Sequence, residues 1–124
     1  MIDRYEADDM IAEIIKRADV TLAGRDGPLL PEPREDIRAI RNSALQFRDT
    51  LHRYLENPDA YGGSIVHDLR GRLNSVTGFG EMLIDDPNAG LNQTQQQEID
   101  AIYQSGLKLR DYVNTRFRAT IARR

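Results

Sequence analysis

The chain has 124 residues, which is room for one domain of ordinary size rather than two. Its 17 basic and 20 acidic side chains give a net charge of −3, and the basic residues are spread out, so the electrostatic footprint of a nucleic-acid-binding protein is missing. The absence of cysteine excludes disulfides and thiolate catalysis, and two histidines fifteen residues apart give no spacing typical of metal ligands.

The apolar residues are numerous enough for a core but are nowhere continuous enough for a membrane span. Leu, Ile, Val and Phe together number 30, above the ~20% level below which composition favours disorder. The acidic start, residues 1–6, lacks the features of a secretory signal, and no apolar run approaches the ~20 residues that cross a bilayer. We therefore expect a cytoplasmic protein without cofactor or metal that binds neither nucleic acid nor a membrane.

Apolar residues recur at spacings of three and four, and nothing alternates over the length of a strand, so the sequence predicts an all-α fold. Proline and glycine between residues 24 and 33 separate the first helix from the second. Before the last helix, Asn92 with Gln95, or Thr94 with Gln97, has the spacing of a capping box. The four predicted helices are residues 8–23, 34–56, 59 or 64 to 84, and 92 to near the end.

The third and fourth helices form a predicted hairpin, residues 58–124, which follows an N-terminal extension of two helices, residues 1–57. Each hairpin helix has one apolar stripe, and a single helix pair buries too little surface to offset the entropy of ordering its backbone. Two hairpins that pair into an intermolecular four-helix bundle would cover both stripes, and so would the two N-terminal helices of the same chain. We favour the homodimer.

On a helical wheel of the third helix, His67 lies about 160° from Leu69, the centre of the apolar arc. Two glycines, Gly71 and Gly78, lie on the same face as His67. Glycine inside a helix costs roughly 0.5–1 kcal/mol relative to alanine, and room for an approaching protein surface would explain why glycine is present here. His52, in the second helix, is expected to be a solvated residue without a functional role. The small or polar residues that share the His67 face are Ser64, Gly71, Asn74, Gly78 and Asp85.

An exposed, neutral imidazole is a nucleophile near pH 7, and His67 meets that condition on the wheel. The adjacent Asp68 could hold the proton of the other ring nitrogen and stabilise positive charge on the ring. Arg70, three residues on, could offset the charge of a phosphoryl group. The pair His67–Asp68 on a rigid helix could thus accept a phosphoryl group when a partner supplies the rest of the site.

The segments SIVHDLRGRLN at 64–74 and GFGEML at 78–83 resemble the phosphoacceptor helix of the dimerisation and histidine-phosphotransfer domain of sensor histidine kinases. That family has the pattern H-[E/D]-L-R-x-P-L-N followed by G-[F/Y]-x-E-L-L. The resemblance extends over residues 59–117, about half of the chain. It implies phosphorylation at His67 and a base role for Asp68. From their positions near His67 on the helix, the residues expected to dock a partner or assist transfer are Ser64, Arg70, Gly71, Asn74 and Gly78.

Two residues and one missing motif depart from the family. Arg72 replaces the usual proline, which predicts a helix without the family's kink, and Gly71 replaces the Thr or Asn that positions a water for phosphatase activity. Kinases of the family continue into an ATP-binding domain, but 57 residues follow His67 and the sequence contains no Asp-x-Gly-x-Gly motif. We therefore expect a phosphotransferase that does not phosphorylate itself.

The leading hypothesis is a bacterial two-component phosphorelay protein that exchanges a phosphoryl group between His67 and a response-regulator receiver domain, or accepts it from a histidine kinase in trans. A second hypothesis is a non-catalytic dimerisation, adaptor or kinase-inhibitor module with a degenerate phosphoacceptor hairpin. A third is a regulatory segment of a larger signalling protein.

Overall fold

The computed structural model describes residues 3–60 and 64–117, and every regular element in these ranges is helical. This confirms the predicted all-α class. None of the described helices combines the length and the apolar character that a membrane span requires. The elements are α1 (Arg4–Leu22), α2 (Pro31–Glu56), a short 3₁₀ helix (Pro58–Ala60), α3 (Ser64–Asp85) and α4 (Gln93–Arg116).

The first two helices begin earlier than the sequence predicts, and local chemistry accounts for both shifts. The side chain of Asp3 caps α1 by accepting a hydrogen bond from the Glu6 backbone N–H at 2.9 Å. Pro31 is the first residue of α2, a position where its missing N–H removes no helical hydrogen bond. The apolar pattern underestimates these ends because the first turn of each helix is polar.

The four helices pack in cyclic order, so that α1 contacts α2 and α4, and α3 contacts the same two helices. Side-chain pairs show that neighbours are antiparallel. Asp19 and Asp8 of α1 bind Arg41 and His52 of α2, in reversed order along the two helices. The bundle is therefore an up-down-up-down four-helix bundle within one chain.

The apolar stripes of the hairpin are covered within the chain. One hydrophobic cluster takes residues from all four helices, so the segments 1–57 and 58–124 share a single core. We expected a second copy of the chain to cover the apolar stripes of α3 and α4. In the structure α1 and α2 of the same chain cover them, which is the other arrangement that the sequence allows. The intermolecular bundle stays a prediction and loses the burial argument that favoured it. The largest fully buried side chains are Phe47, Phe117, Ile11, Ile14, Ile37, Ile40, Leu51, Ile65, Leu69, Leu73, Ile99 and Ile102.

The start of α4 holds the α1–α2 loop in place. Asn92 and Gln95 form the predicted capping box, in which each side chain accepts a hydrogen bond from the backbone N–H of the other residue. The remaining side-chain N–H groups reach the loop, because Asn92 Nδ2 donates to the Asp26 carbonyl at 2.6 Å and Gln95 Nε2 donates to the carbonyls of Gly27 and Pro28. A loop without helical hydrogen bonds is thus tied to the bundle.

Replacement of Asn92 by alanine removes the α4 cap and the bond to the Asp26 carbonyl together. We expect the free energy of unfolding, measured by urea denaturation, to fall by about 1–2 kcal/mol. The matched control is Asn88→Ala, in the exposed turn before α4, which keeps the backbone N–H that Asn88 donates to Asp86 Oδ1. Equal losses in both variants would show that the cap does not anchor the loop.

Candidate functional site

The outward face of α3 carries His67 in the first turn of the helix. His67 is exposed, and so are Ser64, Asn74 and Asp85 on the same face. The opposite face enters the core, in agreement with the helical periodicity, although Phe79 is only half-buried. The buried residues of α3 are Ile65, Val66, Leu69, Leu73, Val76, Thr77, Gly80 and Leu83.

Close packing against α4 sets the rotation of α3. A Cβ atom added to Gly80 would lie 3.4 Å from Tyr103 Cβ, and one added to Gly106 would lie 2.9 Å from Thr77 Cγ2. Thr77, which the apolar pattern does not place in the core, is buried because its hydroxyl donates to the Leu73 carbonyl of its own helix at 3.1 Å. With this side of α3 against its neighbour, the helix must turn His67 to solvent.

Two glycines on the His67 face have no packing role in the described residues. A Cβ atom added to Gly71 or to Gly78 would meet no heavy atom within 4 Å, and both residues are exposed. Neither has a positive φ, so the turn chemistry that favours glycine does not account for them. Their effect is a helix surface one side chain lower than its surroundings, one turn beyond His67 at Gly71 and about three turns beyond it at Gly78.

Asp68 is exposed beside His67 but does not bind it. Within residues 3–60 and 64–117, the hydrogen bond between a histidine and a carboxylate joins His52 to Asp8, not His67 to Asp68. Adjacent helical residues project about 100° apart, so their side chains do not face each other. The base role of Asp68 stays a prediction.

Arg70 is held against α4 rather than free beside His67. Its Nε and Nη2 donate to Asn114 Oδ1 at 2.9 and 2.6 Å. Arg72, at the proline position of the family, is half-buried, and its Nε has no hydrogen-bond partner among the described residues. The helix continues without a break through Arg72, consistent with the loss of the proline.

A second histidine at the same end of the bundle has the carboxylate partner that His67 lacks. His52 Nε2 lies 2.7 Å from Asp8 Oδ1 across the α1–α2 interface, and both side chains are partly exposed. Nearby, burial raises the pKa of the Tyr112 hydroxyl, and the negative charge of Asp8 adds to that effect. Sequence spacing misses the pair, since 44 residues separate its members and only the packing of two helices joins them.

The described residues form no group of three or more His, Asp or Glu side chains that could hold a metal ion. Comparison of the chain with protein-family models, with curated proteins and with solved structures finds no match. The function must therefore be inferred from the motif and from the geometry around His67.

The exposed glycines of α3 and the packed Gly106 of α4 should respond in opposite directions to alanine. Gly71→Ala and Gly78→Ala add a methyl group in open space and improve helix propensity, so each should raise the free energy of unfolding by about 0.5–1 kcal/mol. Gly106→Ala places the same group 2.9 Å from Thr77 Cγ2 and should lower it. Urea denaturation tests the contrast, and a loss of stability at Gly71 or Gly78 would reveal packing on this face.

Proposed function

We propose that the chain is a phosphoacceptor of a bacterial two-component phosphorelay, in which His67 exchanges a phosphoryl group with the aspartate of a response-regulator receiver domain. The observation that carries the proposal is the exposed His67 imidazole on a rigid helix whose outward face is lowered by Gly71 and Gly78. Group transfer between two proteins requires such access, because the donor phosphorus must approach the ring in line with the bond that breaks.

The transfer step needs only groups on the two proteins. An unprotonated ring nitrogen of His67 attacks the phosphorus of the aspartyl phosphate. The N–P bond forms as the P–O bond breaks, and the aspartate leaves as a carboxylate. The proton on the other ring nitrogen then passes to Asp68 or to water. Transfer to a receiver is the reverse reaction.

Electrostatics at the start of α3 favours an added phosphoryl group. His67 is the fourth residue of the helix, and the N-terminal turn of a helix stabilises negative charge. Arg70 lies three residues, or nearly one turn, after His67. Its hydrogen bonds go to the neutral side-chain amide of Asn114, so this contact does not neutralise its positive charge. A guanidinium has five N–H donors, so Arg70 can keep Asn114 and still bind a phosphoryl oxygen.

We propose that a single bundle can perform this function, and that it does so in the cytoplasm. Its core is closed by α1 and α2, so the homodimer expected from the sequence is not required for His67 to be presented. A receiver domain or a histidine kinase in trans would dock along α3, where the two glycines lower the surface.

His67 should carry the label when the protein is incubated with its cognate phosphorylated receiver or kinase. The expected product is acid-labile and alkali-stable, as a phosphoramidate is. His67→Gln should abolish it, whereas His52→Gln, which removes the only other histidine of the chain, should retain it. A label that survives in His67→Gln and disappears in His52→Gln would transfer the acceptor role to the His52–Asp8 pair.

A longer side chain at Gly71 should separate docking from reactivity. Gly71→Gln keeps good helix propensity but raises the surface beside His67. We expect transfer from a phosphorylated receiver to slow by about tenfold or more, because a small misplacement of the reacting groups is costly. Phosphorylation of His67 by the small donor phosphoramidate should be unchanged. If both reactions are unaffected, the partner does not dock across Gly71.

A non-catalytic adaptor is the second candidate function. Two observations favour it: Asp68 does not bind the His67 ring, and Arg72 and Gly71 depart from the phosphoacceptor pattern. An adaptor would bind its kinase or regulator with equal affinity after His67→Gln, and the signalling output would not change. A phosphoacceptor would lose its output in the same variant.

A further inference from the structure

An open groove of about 690 Å³ lies at the end of the bundle opposite His67. Its walls are the start of α2, the end of α3 and the turn that follows α3. Met82, on the groove, is 15 residues after His67, which places it about 20 Å along the helix. The groove is therefore distant from His67, and Asp85, which lines it, lies at the far end of the same face of α3.

The groove exposes two large apolar side chains. Leu30 and Met82 line it and are 53% and 58% exposed. Pro31 is exposed beside them, and the buried Pro33 and Ala89 lie beneath. An apolar groove with such exposed side chains is typical of a surface that packs against a partner.

The same groove is strongly acidic. Its carboxylates are Glu32, Asp36, Asp85 and Asp86, and the described residues that line it include no lysine or arginine. Partial burial raises the pKa of the Asp36 carboxyl, and the charges of Glu32, Asp86 and Glu35 raise it further. A carboxyl group with a raised pKa in the folded state destabilises the fold when it is ionised. This cost is full above that pKa and disappears as the pH falls through it.

One wall of the groove is fixed in place before any partner arrives. The loop that leads into Leu30 is bound through its carbonyls at Asp26, Gly27 and Pro28 to the cap of α4. Leu30 itself packs against Gly90, where a Cβ atom would lie 3.0 Å from Leu30 Cδ1. A preformed wall reduces the entropy that binding must offset.

We propose that this acidic groove binds a basic amphipathic helix of a partner protein. Charge complementarity determines the occupant: apolar residues of the helix pack on Leu30 and Met82, and lysine or arginine side chains extend past them to the carboxylates of Glu32, Asp36 and Asp85. The groove binds this helix independently of the phosphoryl chemistry at His67, so the two sites can be tested separately.

The test uses the full chain and a fluorescein-labelled amphipathic helix of leucine and lysine. Fluorescence anisotropy should detect binding that weakens with added salt, and a matched peptide of leucine and glutamate should not bind. With ¹³C-methyl methionine, the Met82 signal should shift on titration while that of Met10, half-buried on α1, stays in place. Met82→Ser assigns the signal and should weaken binding.

Paired variants separate the groove from general attraction to an acidic protein. Glu32→Gln with Asp36→Asn should raise the Kd roughly fivefold, since two exposed ion pairs are lost. It should also leave the urea midpoint at neutral pH equal or higher, so lost binding is not lost folding. Asp9→Asn with Asp111→Asn removes the same charge from exposed positions outside the groove and should change the Kd less than twofold.

Three results would overturn the proposal. They are a lysine peptide that does not bind, binding that weakens equally in both double variants, and a Met82 signal that does not move in the complex. Self-association of the free chain that Met82→Ser abolishes, without peptide binding, would assign the groove to a second copy instead. Since none of these measurements involves His67, failure here leaves the phosphoacceptor proposal intact.

Discussion

The structure depends on the burial of one apolar stripe of α3 between α2 and α4. Contact at Gly80 and Gly106 brings α3 and α4 so close that a single Cβ atom at Gly106 would meet Thr77 at 2.9 Å. This packing leaves α3 no freedom to rotate about its axis, because a turn of even one residue would expose the stripe and bury polar groups. The outward position of His67 follows from that constraint, and so does the chemistry proposed for it.

Because one face of α3 is fixed in the core, residues on the opposite face can serve binding with little effect on packing. The glycines at 71 and 78 sit in open space, where alanine would be more favourable for the helix. Partial burial raises the pKa of Asp36, and the neighbouring carboxylates raise it further. Both features lower stability without a compensating contact among residues 3–60 and 64–117, and natural proteins accept such losses mainly where a surface is used. Gly71 and Gly78 lie in the first and second halves of α3, and Asp36 lies in α2 beside the end of α3.

The helices and the inward face of α3 could be predicted from spacing alone, because a helical period of 3.6 places apolar residues on one side whatever lies beside them. The capping box at Asn92 and Gln95 was equally local. The partner of the hairpin was not. The apolar stripes of the hairpin must be buried, and either α1 and α2 of the same chain or a second hairpin can bury them. The sequence therefore left both arrangements open. Our preference for the dimer rested on this burial, which α1 and α2 supply. The carboxylate partner of His52 was hidden for a related reason, since Asp8 is 44 residues away.

The sequence by itself determined the all-helical class, the outward direction of His67 and the resemblance of its surroundings to a phosphoacceptor helix. Tertiary structure alone decided that the bundle closes within one chain, that Arg70 binds Asn114, that His52 rather than His67 has a carboxylate partner, and that acidic and apolar residues from three segments meet in one groove. The physical reason is how far apart in the sequence the interacting residues lie. Periodicity and capping are set within a turn or two of helix, whereas these contacts join side chains that only the packing of separate helices brings together.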